Sequence, residues 1–92
     1  MRYILGIDQS TQGTKAALFD ETGRVAAEGR RKHRQIITAE GYIEHDPAEI
    51  MTQTAAAVRD ALESGGIAPG SVLAIGLCDQ RETVVTWDRR TG

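Results

Sequence analysis

The chain is organised around one stretch, Gly6-Ile7-Asp8-Gln9-Ser10-Thr11-Gln12-Gly13-Thr14-Lys15. An apolar run, Tyr3–Ile7, stops at the carboxylate of this stretch, and a second apolar run, Ala16–Phe19, follows it. A buried strand that ends at an aspartate and turns through hydroxyls and a glycine can face a phosphate and its metal ion. The alternative is a plain hairpin turn stabilised by side-chain hydroxyls, and the residues alone leave both interpretations open.

Strand signals lie on both sides of one helical segment. Tyr3–Ile7 and Val72–Cys78 are continuous apolar runs, which are typical of strands covered on both faces. Thr14–Phe19 and Arg24 to Arg31 predict two further strands, and Val84–Trp87 predicts a last short one.

The helix between them has clear start and stop signals. Asp46 is suited to cap its N-terminus, Pro47 to the first helical position, and Glu49 to complete a capping box. Gly65-Gly66 predicts its end. A strand that follows a covering helix is expected to run parallel to an earlier strand through a right-handed crossover. The order β-β-β-α-β-β therefore predicts a mixed α/β sheet.

The composition limits which binding partners and which cellular compartment we expect for this protein. A net charge of −2 on 92 residues gives no general attraction for nucleic acid or for an anionic membrane. A single cysteine, Cys78, excludes an internal disulfide and favours a reducing compartment. No apolar run approaches the length of a membrane span. We therefore expect a cytoplasmic protein with neither nucleic acid nor membrane as partner.

The dense charge run Arg30-Arg31-Lys32-His33-Arg34 is either a basic patch for an anionic partner or a solvated strand end. No aromatic residue interleaves with these charges, which favours the solvated strand end. His45 stands without ligand spacing around it and is interpreted as a structural loop histidine.

The first candidate site is the loop itself. Asp8 would hold Mg²⁺ directly or through waters, since that ion prefers oxygen ligands. The hydroxyls of Thr11 and Thr14, with the Gly13 amide, would donate to phosphate oxygens, and Lys15 would act as a cationic clamp. The glycine and lysine spacing matches neither a Walker A loop nor a dinucleotide fingerprint.

The second candidate site is Asp79-Gln80-Arg81-Glu82-Thr83, which follows the apolar run Val72–Cys78. If this strand is parallel to the first, both clusters lie at one edge of the sheet, where ligands of open α/β sheets bind. Arg81 donates and Glu82 accepts, which suits the vicinal hydroxyls of a polyol or sugar. The alternative is a surface ion pair at a strand end.

Several of these motifs together resemble the FGGY carbohydrate kinases, and within that family most closely the members that phosphorylate glycerol. The matching residues are Gly6-Ile7-Asp8-Gln9 with Thr11, Tyr42-Ile43-Glu44-His45-Asp46-Pro47 with Glu49-Ile50, Ala74-Ile75-Gly76, Asp79-Gln80-Arg81-Glu82-Thr83, and Trp87 with Thr91-Gly92. The loop spelling Ser10-Thr11-Gln12-Gly13-Thr14-Lys15 is closer to the pentulose-phosphorylating branch.

The resemblance implies a ribonuclease H-like fold, as in the actin-like ATPases, and a carbohydrate kinase that transfers the γ-phosphoryl group of ATP, with Mg²⁺, to a polyol or sugar. It implies that Asp8 lies near the metal and phosphates. Thr11, Gln12, Gly13 and Lys15 would then line the nucleotide phosphate loop, and Arg81 and Glu82 would bind substrate hydroxyls. Glycerol is the expected acceptor. A pentulose such as xylulose, or a non-catalytic actin-like nucleotide-binding module, is the alternative.

The resemblance also sets expectations about completeness. Residues 1–92 are expected to be the amino-terminal part of domain I of a two-domain kinase, for which a monomer and a homo-oligomer are both open. The remainder of domain I, all of domain II and the general base are expected downstream. No catalytic residue is therefore predicted in this stretch, and we expect the 92-residue chain to be inactive by itself, since phosphoryl transfer needs groups from both sides of a cleft.

Overall fold

The computed structural model describes residues 1–80 and 83–92, so that Arg81 and Glu82 lie outside the described residues. Its elements in chain order are β1 (Tyr3–Gln9), β2 (Gly13–Phe19), β3 (Val25–Lys32), β4 (Ile36–Ile37), β5 (Ile43–Glu44), α1 (Pro47–Gly65), a 3₁₀ turn (Pro69–Ser71) and β6 (Val72–Cys78). A four-stranded sheet has the order β3-β2-β1-β6, and β4 pairs with β5 in a separate hairpin.

The central strand of this arrangement is β1. It runs antiparallel to β2 and parallel to β6, and β2 runs antiparallel to β3. This confirms the prediction that the strand after the helix runs parallel to an earlier strand. In its register Asp8 lies opposite Cys78, so the polar segments that follow the two strands leave the sheet at the same edge.

Two short elements differ from the prediction. Val84–Trp87 forms no strand, and its Val84 and Trp87 side chains are largely exposed. A strand needs a neighbour for its backbone groups, and no described strand lies beside this segment. The β4–β5 hairpin was not predicted, because two-residue strands carry no periodicity.

Helix α1 begins and ends where the sequence indicates. The Asp46 carboxylate accepts from the Ala48 amide at 3.0 Å, and Gly66 ends the helix with φ 62°. The capping box is wrong in one half, because Glu49 turns away from Asp46 and accepts from the backbone N–H and the Nε of Arg34 instead. Within residues 1–80 and 83–92, no helix has the length and hydropathy that a membrane span requires.

Two arginines of the basic run form ion pairs with carboxylates of α1. Arg31 donates to both carboxylate oxygens of Asp60 on α1, at 2.7 and 3.1 Å, and Arg34 Nε lies 2.7 Å from Glu49 Oε1. The hydrogen bonds from Arg31 hold the pKa of Asp60 below its usual range, and the Arg34 backbone N–H and then its side chain do the same for Glu49. These pairs join β3 and the segment after it to α1, so the run is neither a free patch nor a purely solvated end.

The core between α1 and the sheet is built from small side chains. Its buried members are Leu5, Ala16, Leu18, Ala27, Ala57, Ala61 and Ile67. Gly29 lies opposite Ala16 in the ladder, directly under the helix. A Cβ at Gly29 would overlap the Ala57 carbonyl oxygen and lie 2.9 Å from the Ala61 nitrogen. The helix therefore packs against the backbone of β3 itself.

Strand β6 is exposed, which corrects the expectation that it is covered on both faces. Leu73, Ile75 and Leu77 are 61%, 63% and 69% exposed, and Cys78 is exposed rather than buried. The reason is geometric, because α1 packs over β2 and β3 and reaches β1 only slightly. An apolar run predicts a strand that can be covered, but the cover has to come from another element.

We expect Gly29→Ala to destabilise the chain by roughly 1–3 kcal/mol, the usual cost of overpacking, because the added methyl meets helix backbone that cannot rotate away. Urea unfolding followed by circular dichroism measures this. The control is Gly70→Ala, where an added Cβ meets nothing within 4 Å. Equal stability of the two variants would contradict the close packing.

We expect the 92-residue chain to self-associate through β6, an uncharged terminal strand of the sheet. Leu77→Lys should shift it toward monomer in light scattering coupled to size exclusion. Ile37→Lys is the control, since Ile37 is as exposed (72%) but lies on β4. A wild-type chain that stays monomeric at all concentrations would count against this.

The lowered pKa of Glu49 predicts a pH-dependent contribution to stability. A depressed carboxyl pKa stabilises the fold above the ordinary glutamate value of about 4.3, and this stabilisation is lost as the pH falls through the lower folded-state value. The advantage of wild type over Glu49→Gln should therefore shrink below about pH 4. Urea midpoints across a pH series test this, with Glu63→Gln on the same helix as the control. A constant wild-type advantage down to pH about 2 would refute it.

Candidate functional site

The ends of β1 and β6 form one polar edge of the sheet. Ser10 follows β1, and Gln80 follows β6 by two residues. The Gln80 amide nitrogen donates to the Ser10 carbonyl oxygen at 3.1 Å, across 70 positions of sequence. The two predicted clusters are therefore in contact through described residues, as the parallel arrangement required.

The loop between β1 and β2 is tight. Both the backbone N–H and the hydroxyl of Ser10 donate to the Gly13 carbonyl, at 2.8 and 3.0 Å. A Cβ at Gly13 would overlap the Arg31 carbonyl oxygen and lie 3.1 Å from Lys32 Cα. Glycine is therefore needed here because β2 passes close to β3, whatever the loop binds. Thr11 and Gln12 lie between Ser10 and Gly13 and are exposed.

Three glutamine amides hold the carbonyls of this loop. Gln9 and Gln80 both donate to Ser10 O, at 2.8 and 3.1 Å, and Gln35 donates to Thr11 O at 3.2 Å. Because these amides donate to the carbonyl oxygens of Ser10 and Thr11, the negative ends of these two peptide dipoles are held by hydrogen bonds within the protein. No sequence pattern indicates this role, although the parallel register places Gln80 near the loop.

Asp8 and Lys15 are opposite one another in the β1–β2 ladder. They lie on the sheet face away from α1, because side chains alternate along a strand and the neighbouring Ile7 and Ala16 pack toward the core. The Asp8 side chain is exposed and makes no hydrogen bond or ion pair with residues 1–80 or 83–92. Lys15 Nζ lies 3.5 Å from Glu28 Oε1, on the same face.

Thr14 is a correction to the predicted set. Its side chain is on the opposite face from Lys15, only 3% of the residue is exposed, and its hydroxyl is 3.2 Å from that of Thr54 on α1. This hydroxyl links the sheet to the helix and does not face the open edge. Strand alternation is the physical reason, since adjacent residues Thr14 and Lys15 cannot both face one ligand.

The predicted acceptor residues Arg81 and Glu82 lie outside the described residues. The residues on either side of them in sequence are joined, since the Thr83 hydroxyl donates to Gln80 Oε1 at 3.0 Å. A cleft of about 750 Å³ is lined by residues that include Thr11 and Thr83. The edge of the sheet therefore has a concave surface next to both clusters.

His45 also lines this cleft and pairs with His33, whose Nε2 lies 2.7 Å from His45 Nδ1. His33 is buried, with 8% exposed. Among residues 1–80 and 83–92, no group of three or more histidine, cysteine, aspartate or glutamate side chains is arranged to hold a metal ion. This pairing supports the structural interpretation of His45.

Comparison with known proteins places this geometry in a family. Residues 3–92 match the FGGY family of carbohydrate kinases, N-terminal domain. The chain is 45% identical over 91 residues to a glycerol kinase of Methylobacterium radiotolerans, covering 99% of this chain and 18% of that protein. It is 41% identical over 92 residues to glycerol kinase 2 of Thermotoga maritima, covering 100% of this chain. The chain thus spans about 18% of the length of these relatives.

Solved structures show the same fold. Plasmodium falciparum glycerol kinase with ADP superposes with a TM-score of 0.79 at 40% identity, covering 99% of this chain and 18% of that one. A ligand-bound xylulose kinase from Lactobacillus acidophilus gives 0.76 at 29% identity, covering 87% of this chain and 16% of that one. The predicted ribonuclease H-like, actin-like sheet is thereby confirmed. On the strength of the match across residues 3–92, the chain belongs to the FGGY family of carbohydrate kinases.

Proposed function

We propose that this chain is the amino-terminal part of domain I of a kinase that transfers the γ-phosphoryl group of ATP to a polyol or sugar hydroxyl. The observation that carries the proposal is the parallel pairing of Asp8 with Cys78, which brings the loop and the segment after β6 to one edge. The Gln80–Ser10 hydrogen bond supports the same arrangement. Transfer requires donor and acceptor to be held close together and aligned.

The donor side is the loop from Ser10 to Lys15. Thr11 and Gln12 are exposed at its tip, and their amides and side chains are suited to donate to phosphate oxygens. Lys15 would leave Glu28 for the more highly charged phosphate. Their ion pair at 3.5 Å is exposed, and such pairs contribute little to stability.

The residues present fit a magnesium ion held largely by substrate. Asp8 offers one exposed carboxylate without a described partner, and Mg²⁺ with phosphates is commonly held by one or two carboxylates plus waters. When bound, this ion would neutralise charge that develops on the phosphates. Asp8 would bind it directly or through a water, and the protein would then need no larger ligand cluster.

The acceptor side is proposed to be Arg81 and Glu82, with one residue donating to and the other accepting from substrate hydroxyls. Their position in the sequence between Gln80, which contacts the loop, and Thr83, which lines the cleft, supports this assignment. Glycerol is the first expected acceptor, because the relatives at 41–45% identity are named glycerol kinases. Xylulose is the second, supported by the likeness to a xylulose kinase structure.

We also propose that the general base lies beyond residue 92 and that the kinase acts in the cytoplasm, in keeping with its single unpaired Cys78. The 92-residue chain would then have no turnover of its own. A non-catalytic nucleotide-binding module is the alternative, and it would bind nucleotide without needing an acceptor.

The test is release of ADP from ATP by the full-length protein with glycerol and xylulose in turn. We expect turnover with at least one acceptor and a loss of kcat of about a hundredfold or more in Asp8→Asn, a size seen when a charge-stabilising group is removed. Glu21→Gln, an exposed carboxylate at the far end of the sheet, is the control. Nucleotide binding without turnover on any acceptor would favour the non-catalytic module.

A further inference from the structure

Gln80 belongs to the second polar cluster and links it to the first. Its Nε2 donates to Ser10 O at 3.1 Å in the loop after β1, and its Oε1 accepts from Thr83 Oγ1 at 3.0 Å in the segment after β6. The orientation of the amide follows from its partners, because a backbone carbonyl only accepts and a hydroxyl is able to donate. Gln80 itself is half-buried, and both of its hydrogen bonds are exposed to solvent.

The described hydrogen bonds of the other two glutamine side chains, Gln9 and Gln35, are made to the loop alone. Gln9 belongs to β1 and donates to the carbonyl of its own neighbour, Ser10, at 2.8 Å. Gln35 comes from the segment before β4 and donates to Thr11 O at 3.2 Å. Both hold the loop, but their described hydrogen bonds do not extend to Thr83. Gln80 alone among these three joins the loop to the segment that follows β6.

We propose that Gln80 is a positioning residue that fixes the separation of the donor loop and the acceptor segment. This inference rests on the proposed kinase function. The side chain touches neither reacting group. It acts through the Ser10 carbonyl on one side and through the Thr83 hydroxyl on the other.

The physical basis is the sensitivity of group transfer to alignment. Holding two reactants in the reactive geometry supplies a large part of the rate, and small displacements are costly. The two strands are fixed by their ladder only as far as Asp8 and Cys78. Beyond that point the chains are loops, and the Gln80 amide continues the connection between them. Losing it would leave each segment folded but let the distance between them vary.

The experiment separates the two hydrogen bonds of Gln80 in the full-length protein. Gln80→Ala removes both. We expect kcat to fall about ten- to a hundredfold, because lost alignment of donor and acceptor slows the transfer step, and the KM for nucleotide and the KM for acceptor each to rise about three- to tenfold, the usual effect of one hydrogen bond. Gln80→Glu keeps an oxygen for Thr83 but turns an oxygen toward the Ser10 carbonyl. It should raise the nucleotide KM as much as Gln80→Ala does and leave the acceptor KM within about twofold.

Variants of Thr83 test the hydrogen bond between Thr83 and Gln80. Thr83→Val should raise mainly the acceptor KM, and Thr83→Ser, which restores the hydroxyl, should return it toward wild type. In a double-mutant cycle, Gln80→Ala and Thr83→Val should be non-additive because they share one interaction. Gln53→Ala on α1 is the control and should leave both KM values unchanged.

Two results would overturn the inference: a wild-type kcat in Gln80→Ala, or equal effects of Gln80→Ala and Gln80→Glu on the KM values of both substrates. If the wild-type protein turns over no acceptor, the proposed function fails and positioning for catalysis fails with it. The link itself is then tested by amide hydrogen exchange on the 92-residue chain. Faster exchange at residues 10–13 in Gln80→Ala supports the link, and unchanged exchange refutes it.

Discussion

The parallel pairing of β1 with β6 is the constraint on which the rest of the structure depends. Two strands 60 or more positions apart become neighbours only because α1 carries the chain back across the sheet. The Asp46 cap and the Gly66 end fix the length of that crossover. The ion pairs from Arg31 and Arg34 fix its position over β3. Because this crossover makes β6 run parallel to β1, Asp8 and Gln80 lie together where the carboxyl ends of the two strands meet.

The features predicted correctly from sequence are those that local chemistry decides. The Asp46 cap and the Gly66 stop act within one helical turn, so the bounds of α1 were readable from neighbouring residues. The apolar run of β6 gave its exact extent, Val72–Cys78, but its exposure depends on where α1 lies. Glu49 shows the same limit. The Asp46 amide and the Arg34 backbone and guanidinium compete for its carboxylate, and the charge-assisted bonds to a residue 15 positions away prevail.

The candidate site also has some features that could be predicted from the sequence and others that could not. That Asp8 stands beside the segment after β6 followed from topology, and the contact between Gln80 and Ser10 bears it out. The separation of Thr14 from Lys15 was available from strand alternation alone, because neighbouring residues face opposite sides of a sheet. The hydrogen bonds of the three glutamine amides were not predicted, since a glutamine carries no sequence pattern that identifies its carbonyl partner. Arg81 and Glu82 remain assignments from sequence and family.

The small residues under α1 have a consequence for movement. Leu18 is the one large side chain that is fully buried in the described part of the chain, and the contact with β3 is made by Ala27, Ala57, Ala61 and the backbone at Gly29. Because helix backbone lies directly against Gly29 and Arg31 is paired with Asp60, sliding of α1 along β3 would bring atoms into overlap and break this ion pair. We therefore expect helix and sheet to move together. Any opening or closing around a ligand at the β1–β6 edge would displace this block as a whole and carry the loop with it.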